Sequence, residues 1–304
     1  MLRCATYLGR EVRAVGMAAL LAIALGALAA EPATAAVVPV HLKAEPELVK
    51  VAPGVKMHAW TFNGTVPGPV VRVTEGDTVE VTLENAKKKR WEGHPGYHSI
   101  DFHAARIAPS VGFSDVRPGG SKTFSFVAEH PGVYMYHCGT SPALEHIGMG
   151  MYGMIIVDPA VPRPPAQEVM LVQSEFYGSV RGNLLHSSYE AMQSELPRFV
   201  VFNGRAERYA RHPIEVPIGE PVRIYVVDAG PTEPSDFHVV GDIFDTVQPD
   251  GNPANQLTGV STFGIPAGGA ATFELTFPEA GSYPFVTHSF RSADAGAVGR
   301  FVAG

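Results

Sequence analysis

Cys138 is the residue that most restricts how this chain folds. His146 and Met151 follow it closely, so a thiol, an imidazole and a thioether lie within fourteen residues. One cysteine, two histidines and a weak axial methionine are the ligand set of a blue-copper (type 1) site. A strand end, a loop and the start of the next strand would bring these ligands together. We predict His98, from a neighbouring strand, as the second imidazole, and we prefer Met151 to its rival Met149 because it fits a strand start.

A second metal site is predicted from strand geometry. Adjacent side chains of a strand point to opposite faces, so His137 faces away from the site that Cys138 serves. His98 and His103 differ by an odd number, and the same rule separates them. His103 and His137 are therefore expected to meet elsewhere, and two imidazoles are too few for a tight site with an open position. We expect His288 to supply the third, at a boundary between domains or subunits.

Two further residues are candidates for proton transfer. Asp101 lies between the histidines of the first motif, where a carboxylate beside an open metal position accepts and delivers protons. The alternative is a strand-end aspartate that is satisfied by backbone amides. His238 is either a second proton donor or a hydrogen-bond partner of a ligand, and the sequence does not choose between them.

Short alternating strands dominate the rest of the chain. Hydrophobic residues make up 45% and charged residues 17%, which is typical of a globular protein. Strands are predicted at Val70–Val73, Thr78–Leu83, Thr123–Val127 and Gly153–Val157, and Tyr189–Glu195 is the only modest helix candidate. The pattern predicts an all-β chain built from β-sandwiches.

The chain divides into two related halves. Phe62-Asn63-Gly64 recurs as Phe202-Asn203-Gly204, and Asp101-Phe102-His103 recurs as Asp236-Phe237-His238, which indicates a duplication. A proline-rich linker separates the halves. We predict a first domain at 37–158, a linker at 159–166 and a second domain at 167–304. The second half lacks the cysteine and methionine of a blue-copper site.

The first 36 residues are predicted to be a signal peptide. Arg3, Arg10 and Arg13 precede the apolar run Val15–Ala30, and small residues follow at Ala33-Thr34-Ala35. Cleavage would export the chain to the periplasm or the extracellular space, with no membrane attachment afterwards; an uncleaved anchor is the alternative.

Net charge and cysteine content restrict which molecules and ions this chain is expected to bind. The net charge of -7 argues against binding nucleic acid. Cleavage would also remove Cys4, leaving Cys138 as an unpaired thiol that metal binding protects. The run Lys87–Arg90 is typical of a solvated turn, or else it rims the type 1 site and attracts an acidic electron donor.

These motifs together resemble the copper-containing nitrite reductases. The resemblance rests on His98-x-x-Asp101-x-His103, on Tyr136-His137-Cys138 with His146 and Met151, and on Tyr283-Pro284-Phe285-Val286-Thr287-His288. It covers nearly the whole predicted mature chain. It implies two tandem cupredoxin-like Greek-key β-sandwich domains, assembled as a homotrimer.

The same resemblance implies the sites and the reaction. Type 1 copper would be bound by His98, Cys138, His146 and Met151, and type 2 copper by His103 and His137 of one subunit and His288 of the next. Asp101 would match the active-site aspartate of the family. Electrons from a small redox protein would pass from type 1 to type 2 copper through the Cys138-His137 pair and reduce nitrite to nitric oxide.

Two alternatives stay open. A two-domain multicopper oxidase acting on oxygen or another small substrate would need a trinuclear cluster, commonly built from His-x-His pairs, and this sequence contains none. A carrier with only type 1 copper is the other, since no histidine follows His238 between Val239 and Asp245. Copper content separates the three functions.

Overall fold

Strands with alternating buried and exposed residues form most of the structure. The structure is a computed structural model that describes residues 35–87 and 96–304. Its first half, up to Asp158, contains eight strands: β1 (Val37–Ala52), β2 (Val55–Phe62), β3 (Val71–Thr74), β4 (Thr78–Asn85), β5 (Asp101–Phe102), β6 (Ser121–Val127), β7 (Gly132–His137) and β8 (Tyr152–Asp158). The burial of β4 alternates residue by residue, as expected for a sheet with one face on a core.

The second half repeats this construction. Its strands are β9 (Gln167–Arg181), β10 (Leu184–Ser187), β11 (Pro197–Phe202), β12 (His212–Val216), β13 (Pro221–Asp228), β14 (Ser235–Val239), β15 (Phe244–Pro249), β16 (Leu257–Val260), β17 (Thr262–Ile265), β18 (Ala270–Thr276), β19 (Gly281–Thr287) and β20 (Val298–Ala303). The all-β prediction is confirmed.

Helices are few and short in the described ranges. They are α1 (Pro109–Gly112), α2 (Ala143–Gly148), α3 (Tyr189–Gln193), α4 (Arg208–Arg211) and α5 (Phe290–Asp294). The predicted helix at Tyr189–Glu195 is confirmed as α3, where the Ser188 side chain caps the backbone N–H of Ala191. None of these helices is long and apolar enough to cross a membrane.

The strands form three sheets. A four-stranded sheet has the order β3-β8-β7-β5, and a five-stranded sheet has the order β12-β20-β19-β14-β17. In the first, β5 pairs antiparallel with β7; in the second, β14 pairs antiparallel with β19. These equivalent pairs carry the duplicated Asp-Phe-His motifs, so the repeat in sequence is also a repeat in topology.

The third sheet joins the two halves. It contains eleven strands, drawn from both halves. The halves meet where β10 pairs in parallel with β2, with Leu184 opposite Lys56. This differs from two sandwiches connected only by a linker. Arg72 of β3 adds ion pairs to Asp158 and Glu168, which lie on either side of the predicted linker.

Some predicted features lie outside the described residues. Residues 1–34 of the predicted signal peptide are not described, nor are Lys88, Lys89 and Arg90 of the basic run. Between Asp158 and Gln167 the described chain forms no helix or strand. Arg163 in this segment donates hydrogen bonds to the side chain of Gln248 and the carbonyl of Gly251, which ties the segment to the second half.

Candidate metal centres

Strand β7 delivers two neighbouring residues to two different places. His137 ends the strand and Cys138 follows it, so their side chains point to opposite sides. Cys138 is fully buried and lies with His98 and His146, whereas His137 lies with Asp101 and His103. The structure therefore brings the candidate ligands into two clusters, with the two members of the Cys138-His137 pair in different clusters.

The first cluster is a closed set of one sulfur and two nitrogens. Cys138 Sγ lies 3.1 Å from His146 Nδ1 and 3.8 Å from His98 Nδ1, and the two Nδ1 atoms are 3.2 Å apart. All three side chains are buried. This geometry directs the three donor atoms towards one point.

The backbone holds the ligands of this cluster in place. His98 forms an isolated antiparallel bridge with Val116, and the N–H of Cys138 donates to the Met151 carbonyl at 3.0 Å. Met151 in turn donates its N–H to the carbonyl of His146 at 3.1 Å. His146 lies in the short helix α2, not in an irregular loop as we expected.

Met151 remains the preferred axial ligand on backbone grounds. It is fully buried directly before β8, and its main chain bonds to both Cys138 and His146. Met149 is also buried, but its carbonyl accepts the backbone N–H of Trp60 at 3.0 Å. The choice of axial ligand stays a prediction.

The chemistry of this donor set fits copper. Burial raises the pKa of the Cys138 thiol, and hydrogen bonds from Ser99 and Thr140 oppose that shift only in part. A buried thiolate is therefore stable only with a cation beside it. One thiolate with two imidazoles, closed off from solvent, matches the trigonal core of a blue-copper site.

The second cluster presents two free imidazole nitrogens to each other. Nδ1–H of His137 donates to the Cys138 carbonyl at 2.9 Å, and Nδ1–H of His103 donates to the Gly268 carbonyl at 3.1 Å. Both neutral rings therefore carry their proton on Nδ1 and a lone pair on Nε2. The two Nε2 atoms are 3.1 Å apart. Two facing lone pairs repel unless a proton or a metal ion lies between them, so these residues fit a metal ion.

Asp101 completes the second cluster. One carboxylate oxygen lies 3.8 Å from Nε2 of His137, and β5 pairs Asp101 directly with His137. Burial lowers the pKa of His137, and the nearby His103 ring lowers it further, which favours the neutral ring that a metal needs.

Two histidines of the second half, one half-buried and one exposed, form a separate group. His238 of β14 and His288, directly after β19, have ring centroids 5.5 Å apart, and Phe290 lies 4.9 Å from the His288 ring. Nδ1–H of His238 donates to the Ser261 carbonyl at 2.6 Å. His288 is exposed and belongs to neither ligand cluster in the described part of the chain. We call His238, His288 and Phe290 the second-half histidine patch.

Several known proteins are similar to this chain in sequence and structure. A multicopper oxidase family matches residues 43–161. The copper-containing nitrite reductase of Neisseria gonorrhoeae is 38% identical over 86% of this chain and 67% of its own length. That of Alcaligenes xylosoxydans xylosoxydans is 30% identical over 82% of this chain and 80% of its own length. The solved copper nitrite reductase of Nitrosomonas europaea superposes with a TM-score of 0.81 at 42% identity, covering 88% of this chain and 94% of that one.

This chain belongs to the copper-containing nitrite reductase family. Its cofactor is copper, and its fold is that of the two-domain cupredoxin-like proteins. The chain spans about two thirds of the length of the Neisseria gonorrhoeae relative.

Some residues around the two candidate metal centres were not predicted from the sequence. Trp60 of β2 packs edge-on against both type 1 candidates, with ring centroids 5.8 Å from His98 and 5.0 Å from His146. A single aromatic in a predicted strand gives no sign of such a role. Ser99 donates its N–H to Cys138 Sγ at 3.4 Å, and its position next to His98 was a usable signal.

Proposed function

We propose that this chain reduces nitrite to nitric oxide, with His98, Cys138, His146 and Met151 holding type 1 copper and His103, His137 and His288 holding type 2 copper. Copper held by the first set of residues would supply electrons, and copper held by the second set would be the place where nitrite is reduced. The observation that carries this proposal is the division of neighbouring residues His137 and Cys138 between two clusters, each suited to a metal. The membership of the family supports it.

The residues of the second cluster prepare a small open site. A cavity of about 360 Å³ lies beside it, lined by Asp101, His103, Tyr134 and Asp250 among others. Reduction of nitrite consumes an electron and protons and releases water. Asp101 is positioned to hold and deliver a proton, because its carboxylate is next to the nitrogen atoms that would bind the metal. We assign His238 a second proton-donating role.

A homotrimer would complete the type 2 site. His288 is exposed in its own chain, and Phe290 beside it leaves 60% of its surface in solvent. An exposed histidine next to an exposed aromatic ring suits an interface between subunits. We propose that the second-half histidine patch of one subunit covers the His103–His137 pair of the next.

Export, electron supply and domain limits complete the proposal. We infer that residues 1–36 direct the chain to the periplasm or the extracellular space, and that the domains are 37–158 and 167–304 with a linker at 159–166. A small redox protein is the proposed electron donor. Helix α2 supports this role, because the two residues that flank buried His146 in the helix, Glu145 and Ile147, are half-exposed.

His288→Ala tests the proposal. We expect this variant to keep the blue absorption of type 1 copper, to lose about half of its copper because one of three ligands is missing, and to lose nitrite reduction. Copper analysis, visible absorption and nitric oxide detection measure these effects. The matched control is His186→Ala, an exposed histidine of β10, which should change none of them. Unchanged copper content and activity in His288→Ala would contradict the proposal; a single copper per wild-type chain would favour the carrier.

A further inference from the structure

We propose that the second half of the chain positions a ligand of the type 2 centre: the carbonyl of Gly268 fixes the ring orientation and the tautomer of His103. This inference rests on the proposed type 2 site and adds a residue to it. Gly268 is a positioning residue, since it acts on copper only through His103.

His103 is held at two points by two parts of the chain. Its backbone N–H donates to the Met135 carbonyl of β7 at 3.0 Å, which anchors the main chain to the first half. Its ring donates from Nδ1 to the Gly268 carbonyl, 165 residues further along the chain. His137 differs, because its Nδ1–H bonds to the carbonyl of the next residue. Of these two histidines, only His103 depends on a distant segment for its tautomer.

The backbone shape of the Gly268 turn aims this carbonyl. Gly268 has φ of +82°, a left-handed conformation that favours glycine. Its N–H donates to the Asp228 carbonyl at 2.8 Å, and the N–H of Asp228 donates to the Gly269 carbonyl at 3.0 Å. Gly269 also donates to Pro266 at 2.8 Å. Asp228 ends β13 and is fully buried, so the turn is attached to the core of the second half.

This arrangement has a chemical consequence for the metal site. A carbonyl that accepts the Nδ1 proton keeps Nε2 unprotonated and makes it a stronger ligand, and loss of such a partner typically weakens metal binding by roughly 10- to 100-fold. The arrangement of the two halves within one chain therefore affects the affinity of the type 2 site. The type 1 ligands all come from the first half, so type 1 copper is independent of this contact.

Gly268→Ala tests the inference. A β-carbon at this position is strained by the positive φ, and relaxation of that strain shifts the carbonyl; the added carbon also contacts His103 Cε1 at 3.4 Å, an ordinary van der Waals distance. Gly219→Ala is the matched control: its φ is +70°, and an added β-carbon meets nothing within 4 Å. Both variants carry a similar backbone strain, but only one contacts a candidate ligand. The measurements are copper titration of each copper-free variant, followed by electron paramagnetic resonance of the loaded protein.

We expect Gly268→Ala to bind type 2 copper roughly 10- to 100-fold more weakly, with an altered type 2 hyperfine splitting and unchanged blue absorption. Gly219→Ala should match the wild type. Gly268→Asn should retain more type 2 copper than Gly268→Ala, because asparagine tolerates positive φ better than alanine. Equal type 2 affinity and identical spectra in Gly268→Ala and Gly219→Ala would overturn the inference. A wild-type protein without type 2 copper would instead defeat the proposed function.

A measurement on the wild-type protein covers the case in which Gly268→Ala does not fold. Nitrogen-15 NMR of histidine-labelled, copper(I)-loaded protein should show a slowly exchanging proton on His103 Nδ1. Slow exchange follows from the hydrogen bond to Gly268 within the folded chain. An unprotonated or rapidly exchanging Nδ1 would overturn the inference.

Discussion

At the scale of single residues, Glu175 is a side chain whose protonation depends on burial. Burial raises its pKa to about 7, although hydrogen bonds from Tyr177 and Thr232 oppose the shift. The backbone N–H of Glu233 also donates to its carboxylate at 2.7 Å. The unfolded chain releases this proton near pH 4.5, the ordinary value for a glutamate. Between these two pH values the folded protein holds a proton that the unfolded chain has lost.

Glu175→Gln is predicted to flatten the pH dependence of stability. In the wild type, the stability that Glu175 contributes is complete below its unfolded pKa and declines as pH rises towards about 7. The decline amounts to up to about 3 kcal/mol. Denaturant unfolding from pH 4.5 to 7.5 measures it, with Glu215→Gln, an exposed side chain of β12, as the control. Parallel pH profiles for Glu175→Gln and the wild type would contradict this account.

At the scale of elements, β7 is the strand on which both centres depend. Its Tyr136 directly precedes His137 and Cys138 and is fully buried, and its hydroxyl donates to the Pro69 carbonyl at 2.6 Å. Gly153 of β8 pairs with Tyr136, and a β-carbon there would overlap the tyrosine ring. Glycine at 153 therefore leaves the space against β8 that the tyrosine ring occupies.

Gly153→Ala is predicted to destabilise the fold and both centres together. Overpacking of a buried site costs about 1–3 kcal/mol, and the displaced Tyr136 would shift His137 and Cys138 along with β7. Denaturant unfolding and the blue absorption measure the two effects. Gly281→Ala, at the exposed start of β19, is the control, since the nearest atom to its added β-carbon is 3.4 Å away. A wild-type unfolding midpoint in Gly153→Ala would show that the strand tolerates the change.

The strands could be predicted because apolar and polar residues alternate along their sequences. Opposite faces for His137 and Cys138 follow from a period of two, and the structure separates the residues in this way. Helix α2 was missed, since six residues are too few to show a helical period. The hydrogen bond from His103 to Gly268 could not be predicted, for a different reason. A backbone carbonyl gives no signal in the residue type, and Gly268 lies 165 residues from His103 along the chain.

At the scale of the whole molecule, the two halves are more closely joined than the repeat pattern suggested. The sequence predicted two tandem sandwiches, but β2 and β10 pair across the halves and extend one sheet through both. Val133 of β7 also donates its N–H to the Asp250 carbonyl at 2.8 Å. Pairing between distant strands depends on register in three dimensions, which local alternation does not specify. This junction holds the second half in a fixed position beside a candidate metal ligand of the first half.

The arrangement of the whole molecule as a reductase is tested most directly by electron paramagnetic resonance of the copper-loaded protein with and without nitrite. We predict two signals, a type 1 signal from the cluster of Cys138 and a type 2 signal from the cluster of His103 and His137. Nitrite should change the type 2 signal and leave the type 1 signal unaltered, because the second cluster adjoins an open cavity whereas the first is buried. A type 2 signal that nitrite does not perturb, or the absence of any type 2 signal, would contradict the account.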